Sequence, residues 1–239
     1  ARLCSVALEP ALTIIDNTAH AAVLQPLGKA LQRKLGSVIA RIHAGVYSRV
    51  DSEEEVSASF VQNEIAPVLE TISSGFLDRF PPPYAARLAT GIAESAILHF
   101  VSTATYFRPV SESARLHMTQ DLADLEMALS QLMSNVSGSS LPAKPYAELR
   151  AVRQMLYWTG LDNKSKPAQE VSKSLLREMW IHDVRPSTLF HYLFSYSPSL
   201  LSSPHHVERR TAIEYINDLV DNGEDGAWMT IVACCDSYQ

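Results

Sequence analysis

Apolar side chains recur along this chain at steps of three and four residues almost without interruption, and alternation of period two is nearly absent. A backbone can bring residues at that spacing to one side only by coiling into an α-helix. The cleanest case is Met118, Leu122, Leu125, Leu129, Leu132 and Val136, spaced 4-3-4-3-4, a seam suited to a neighbouring helix near the knobs-into-holes angle. Leu27, Leu31, Leu35, Val38, Ile42 and Val46 form a second stripe and predict a helix from about Gln25 to Ser48. A helix over about Leu3 to Ile15 precedes it, loosened around Asp16 and Asn17. Glycine is only 9 of 239 residues, about half its usual share of ~7%, which favours long helices over a turn-rich β fold.

Breaks in the pattern set the boundaries. Ser52 with Glu55 three residues on reads as a capping box. The helix it opens carries Val61, Ile65, Val68, Leu69, Ile72, Phe76 and Phe80, and Pro67 inside it predicts a kink or two abutting helices. Pro81-Pro82-Pro83 closes that segment. A helix from about Tyr84 to Phe107 follows, with Leu88, Ile92, Ala96 and Phe100 on one face, and the next starts near Ser111 or Ser113. Ser137-Gly138-Ser139-Ser140-Leu141-Pro142 is the best internal boundary. Shorter helices are expected beyond it, at about Pro145 to Trp158, Ala168 to His182, Ser187 to Tyr196, His205 to Val220 and Glu224 to Cys235. The reading is all-α: an elongated helical rod of successive antiparallel bundles, a longer one over residues 1–137 and a smaller one over 141–239. Each helix is expected to pack mainly on those adjacent in sequence.

Composition excludes several function classes. With Lys+Arg 20 against Asp+Glu 26, the formal net charge of -6 gives no global pull toward nucleic acid. No apolar run approaches the roughly 18 residues that cross a bilayer, and no secretory signal is read at the N-terminus. Ala1, in place of Met, fits a piece of something longer. Cys4, Cys234 and Cys235 cannot all pair, which fits a reducing compartment. Two sequons, at Asn135 and Asn163, read as chance in that setting.

Motifs for chemistry are missing. Gly28-Lys29 lacks the remaining glycine and the hydroxyl of a phosphate loop. There is no Gly-x-Ser-x-Gly elbow, and the eight histidines are scattered, without the paired spacing of zinc ligands. Asp121, Asp124 and Glu126 are the densest acids beside apolar residues, and they read as a solvated rim of the Leu122/Leu125/Leu129 seam. Trp158, Trp180, Phe190, Tyr192 and Phe194 read mostly as core fillers between short helices. One electrostatic feature remains. Gln25 to Val50 holds five basic residues and no acid, and Lys29, Arg33 and Arg41 share one i+4 row. That stripe is a candidate contact with anionic lipid or an acidic partner helix, the alternative being a solvated face neutralised by acids nearby.

The run Phe107-Arg108-Pro109-Val110, then Arg115-Leu116, then Asp121-Leu122-Ala123-Asp124-Leu125-Glu126-Met127-Ala128-Leu129 resembles the fifth-subunit family of the conserved oligomeric Golgi complex. The likeness extends upstream to Gln62 through Phe80 and downstream to Thr188 through Phe194, and covers about Val61 to Asp236. The turn after Pro109, Gly-rich in the family, is here Ser111-Glu112-Ser113-Ala114. The resemblance implies the C-terminal part of a non-enzymatic scaffold subunit in a multisubunit vesicle tether, without catalytic residues, metal or cofactor. It also implies intra-Golgi retrograde transport, a peripheral position on the cytosolic face of Golgi membranes, and sibling subunits six, seven and eight as partners. A helical membrane-surface or lipid-binding module using Lys29, Arg33 and Arg41 is the alternative.

Overall fold

The computed structural model describes residues 2–44, 59–106, 110–136, 141–158, 160, 168–196, 209–211 and 214, and among these every regular element is helical. Helix α1 (Arg2–Ala19) passes through a π-helical turn (His20–Leu24) into α2 (Gln25–Ile39), which tightens to a 3₁₀ turn (Ala40–Ala44). A second π turn (Val61–Ile65) leads into α3 (Ala66–Gly75), and a 3₁₀ turn (Leu77–Arg79) follows it. Then come α4 (Pro82–Ala104), α5 (Glu112–Ser134), α6 (Ala143–Met155), α7 (Ala168–Leu175), a 3₁₀ turn (Met179–His182) and α8 (Pro186–Tyr196).

The stripes read from the sequence are the core. All six residues of the α5 seam are buried, as are Leu88, Ile92, Ala96 and Phe100 of α4. Ser111 caps α5, its hydroxyl accepting the Ala114 N–H at 3.1 Å. On α2, Leu31, Leu35 and Ile42 are buried and Leu27 and Val38 partly so, while Val46 lies outside the described residues. The Ser52–Glu55 pattern and the helix expected from Glu224 to Cys235 also lie outside them.

Four expectations need correcting. The helix does not loosen at Asp16–Asn17; it runs on, and the irregularity falls four residues later, where the Gln25 N–H reaches back five residues to the His20 carbonyl. Pro26 follows immediately, and a proline in a regular α-turn loses a donor and collides with the carbonyl four residues back. Widening the preceding turn avoids the collision. Pro67 is accommodated in the same way, with Ala66 N–H bonded to the Val61 carbonyl. The segment from Ala168 to His182 is broken after Leu175, because the chain turns through Leu176–Arg177 and Glu178 is extended (ψ 127°). Most of the helix expected from His205 to Val220 lies outside the described residues, and Arg209–Thr211 within it are not helical. Arg209 there has φ 57°, and Thr211 and Glu214 exchange N–H bonds of 2.9 and 3.2 Å in a capping box.

The fourth correction concerns which helices touch. The most extensive contact joins α2 to α4, not to its sequence neighbour α3. Helix α4 buries Ala85, Leu88, Ala89, Ile92, Ala93, Ala96, Ile97 and Phe100, a face covering about half its circumference, so more than one helix must pack on it. Helices α2, α5, α6 and α8 all lie against it. One continuous cluster of buried apolar residues extends from Leu24 to Tyr192.

Glycine brings α2 close. Gly28, Gln32 and Gly36 share one row of α2 and face Leu88, Gly91 and His99 in the same order, so the two helices run parallel. The Gln32 side-chain amide donates to the Gly91 carbonyl at 2.9 Å. A Cβ on Gly36 would fall 2.9 Å from Cε1 of His99, whereas one on Gly75 would meet nothing within 4 Å.

Two buried carboxylates fasten helix starts from across the fold. Asp121 on α5 is buried; it accepts the Ser59 hydroxyl at 2.5 Å and the Val61 N–H at 3.4 Å, at the entry to the second π turn. Glu148 on α6 accepts the Arg185 N–H at 3.3 Å, the Thr188 hydroxyl at 2.7 Å and the Arg185 Nε at 2.7 Å, at the start of α8. A carboxylate at that end of a helix satisfies orphan donors and favours the helix dipole.

Three substitutions test this packing. Displacing the His99 ring outweighs the helix propensity gained, so Gly36→Ala should destabilise the chain by about 1 kcal/mol. Gly75→Ala should stabilise it by up to ~1 kcal/mol. Paired urea titrations compare them, and equal midpoints would show that α2 and α4 are not in close contact. Glu148→Ala leaves the Arg185 cation without its partner in a largely buried place, and about 3–5 kcal/mol should be lost.

Candidate functional surfaces

Among the described residues no group of three or more His, Cys, Asp or Glu side chains could hold a metal ion, and no helix is long and apolar enough to cross a membrane. Functional interest therefore falls on surfaces.

The three residues of the basic stripe do not share one environment. Lys29, Arg33 and Arg41 are all exposed, but Arg41 donates to Glu64 at 2.8 Å. Lys29 and Arg33 form no ion pair among the described residues. Lys29 instead meets a second cation from another helix. The α2–α4 contact opens, at its end nearest the first π turn, into a cavity of about 210 Å³ lined by His20, Gln25, Lys29, Gln32 and Arg87 over a floor that includes Gly28 and Gly91. Arg87 and His20 were not legible as partners of Lys29, because only the parallel packing of α4 on α2 brings them together.

Asp16 lies beside that cavity. Its carboxylate accepts from the Tyr84 hydroxyl and lies 3.4 Å from Arg87 Nη1. The Tyr84 hydrogen bond, with the Arg87 charge behind it, holds the Asp16 carboxyl below its ordinary value, and the same bond raises the Tyr84 phenol.

The acids read as a solvated rim prove otherwise. Asp121 and Asp124 are buried, and Asp124 accepts from the Gln120 amide at 3.2 Å on each oxygen. Glu126 is half-buried between the Tyr146 hydroxyl and Arg153, the latter at 2.9 Å, and its bond raises the Tyr146 phenol above the ordinary tyrosine value. Helical spacing puts Asp121 and Glu126 on the seam's margins and Asp124 away from it, but could not show that other helices supply donors to the first two or that Asp124 is buried. Of the aromatic group, Trp158, Trp180 and Tyr192 are buried as expected, the two indoles edge to face at 6.5 Å. Phe190 is half-buried, and the Phe194 side chain lies outside the described residues.

Helix α1 carries a different kind of surface. Leu12 and Ile15, exposed by 62% each, and half-buried Ala19 stand at steps of three and four along α1, and Val23 in the π turn after it is exposed by 51%. An exposed apolar row at that spacing has the form of half a helix–helix seam.

The Asp16 tie has a defined pH signature. A lowered folded pKa contributes stability above the unfolded value of ~3.9, and that contribution is lost as pH falls through the folded value. A carbon-detected NMR titration should place the Asp16 midpoint lower in the unsubstituted chain than in Tyr84→Phe.

No protein-family profile matches the chain, and no solved structure does. Two curated relatives do. The chain is 29% identical over 242 residues to conserved oligomeric Golgi complex subunit 5 of Arabidopsis thaliana, covering 97% of this chain and 27% of the relative. It is 25% identical over 186 residues to the Mus musculus protein of the same name, covering 76% of this chain and 21% of the relative. The chain spans about a quarter of the length of these relatives. The likeness read from residues 107–129 is thus part of one that runs along most of the sequence, and the chain is a homologue of conserved oligomeric Golgi complex subunit 5.

Proposed function

We propose that this chain is the C-terminal helical part of a conserved oligomeric Golgi complex subunit and works as a non-enzymatic scaffold in vesicle tethering. The reading includes intra-Golgi retrograde transport, a peripheral position on the cytosolic face of Golgi membranes, and contact with sibling subunits six, seven and eight. The observation that carries it is the 29% identity maintained over 97% of the chain. The helical packing suits such a role, since buried seams fix the spacing of whatever the outer faces hold. The division into parts at residues 137 and 141 belongs to the same proposal.

The contact surface we assign to a sibling is the row Leu12, Ile15 and Val23. Its spacing matches a helical partner, and burying exposed apolar side chains of this size is the usual source of affinity between helices. The second reading, a lipid-surface module, draws on the exposure of Lys29 and Arg33.

Co-purification with antibodies to subunits six, seven and eight tests the first reading. The chain should retain at least one of them, and Leu12→Glu with Ile15→Glu should weaken capture about tenfold or more while leaving the unfolding midpoint unchanged. Retention of none of the three by the unsubstituted chain would overturn it.

A further inference from the structure

We propose that the cavity between α2 and α4 is a binding site for a phosphate group carried as a monoester. The argument begins with what lines it. Lys29 and Arg87 come from different helices, His20 comes from the π turn, and the Gln25 and Gln32 side chains add amide groups. No carboxylate lines the cavity. The nearby Asp16 is occupied by the Tyr84 hydroxyl and Arg87, and it is offset by Lys29, which forms no ion pair among the described residues. The balance at this end of the bundle is positive in a chain whose formal net charge is -6.

Size and shape narrow the ligand. About 210 Å³ is below the ~300 Å³ at which pockets for drug-sized ligands begin, so the cavity receives a group and not a whole nucleotide. A phosphate monoester carries about −1.5 to −2 charges and three acceptor oxygens near neutral pH. The lysine, arginine and side-chain amide groups that line the cavity are the donor types that match those oxygens.

The backbone also makes the space. Gly28 and Gly91 put no side chain on the cavity floor. The π turn that places His20 at the rim is a local departure from regular helix, of the sort that recurs at functional sites. The proposal is independent of the subunit reading, because it depends on three helical segments of this chain and on no partner protein.

Two probes distinguish the sources of such a group. Calorimetry of the full chain with soluble inositol trisphosphate reports a free phosphomonoester. Flotation with phosphatidylcholine vesicles containing a phosphatidylinositol phosphate reports a headgroup, with phosphatidylserine vesicles as the control lacking a monoester. Binding in either arm supports the site, and the arm that binds names the source. Lys29→Gln and Arg87→Gln should each weaken binding about tenfold. Gly28→Ala should also weaken it without altering charge, and its Cβ stands in ordinary contact with Leu88 at 3.4 Å, so the fold tolerates it. Arg41→Gln, at a residue already paired with Glu64, should change nothing. The proposal is overturned by no binding in both arms, by equal loss in Arg41→Gln, by indifference to Gly28→Ala, or by binding of an acidic peptide in preference to both probes.

Discussion

Helix α4 has an apolar face too broad for one neighbour to cover, with only Arg87 and Glu94 of its middle turns exposed, and the arrangement of the other helices follows from that. So broad a buried face must be covered, and packing of α2, α5, α6 and α8 against it draws together segments distant in sequence. Gly28 and Gly36 on α2 and Gly91 on α4 let the two helices approach. The same contact leaves a cleft at its end nearest the first π turn, beside Gly28 and Gly91.

Helix positions and core faces were legible because both depend on local spacing. The α5 seam and the α4 face appear in the structure residue for residue. Helix starts at Ser111 and at the prolines before α4 were legible too, since capping hydroxyls and missing N–H groups act within a few residues. What could not be read were the interactions that close over long sequence distance. Asp121 and Glu148 look like surface acids in any helical projection, and only the arrival of Ser59, Val61, Arg185 and Thr188 from other segments makes burial tolerable. The same limit applied to the basic stripe. Its three members lie on one row, yet their surroundings are set by Glu64 in one case and Arg87 in another, neither of them on α2.

The surfaces and the interior therefore divide the work. Acids and bases paired inside the fold, such as Glu148 with Arg185, make particular helices meet in particular registers. The apolar row and Lys29 at the α2–α4 cleft are not consumed in that way.

The wide turn before Pro26 links those two features. It holds one residue more than a regular turn of the same advance, and a single added residue swings all that precedes it by about 100° around the axis. The direction in which Leu12 and Ile15 face is therefore fixed by a count of residues ahead of a proline. A deletion of one residue there would leave every side chain intact and aim the row at a different neighbour.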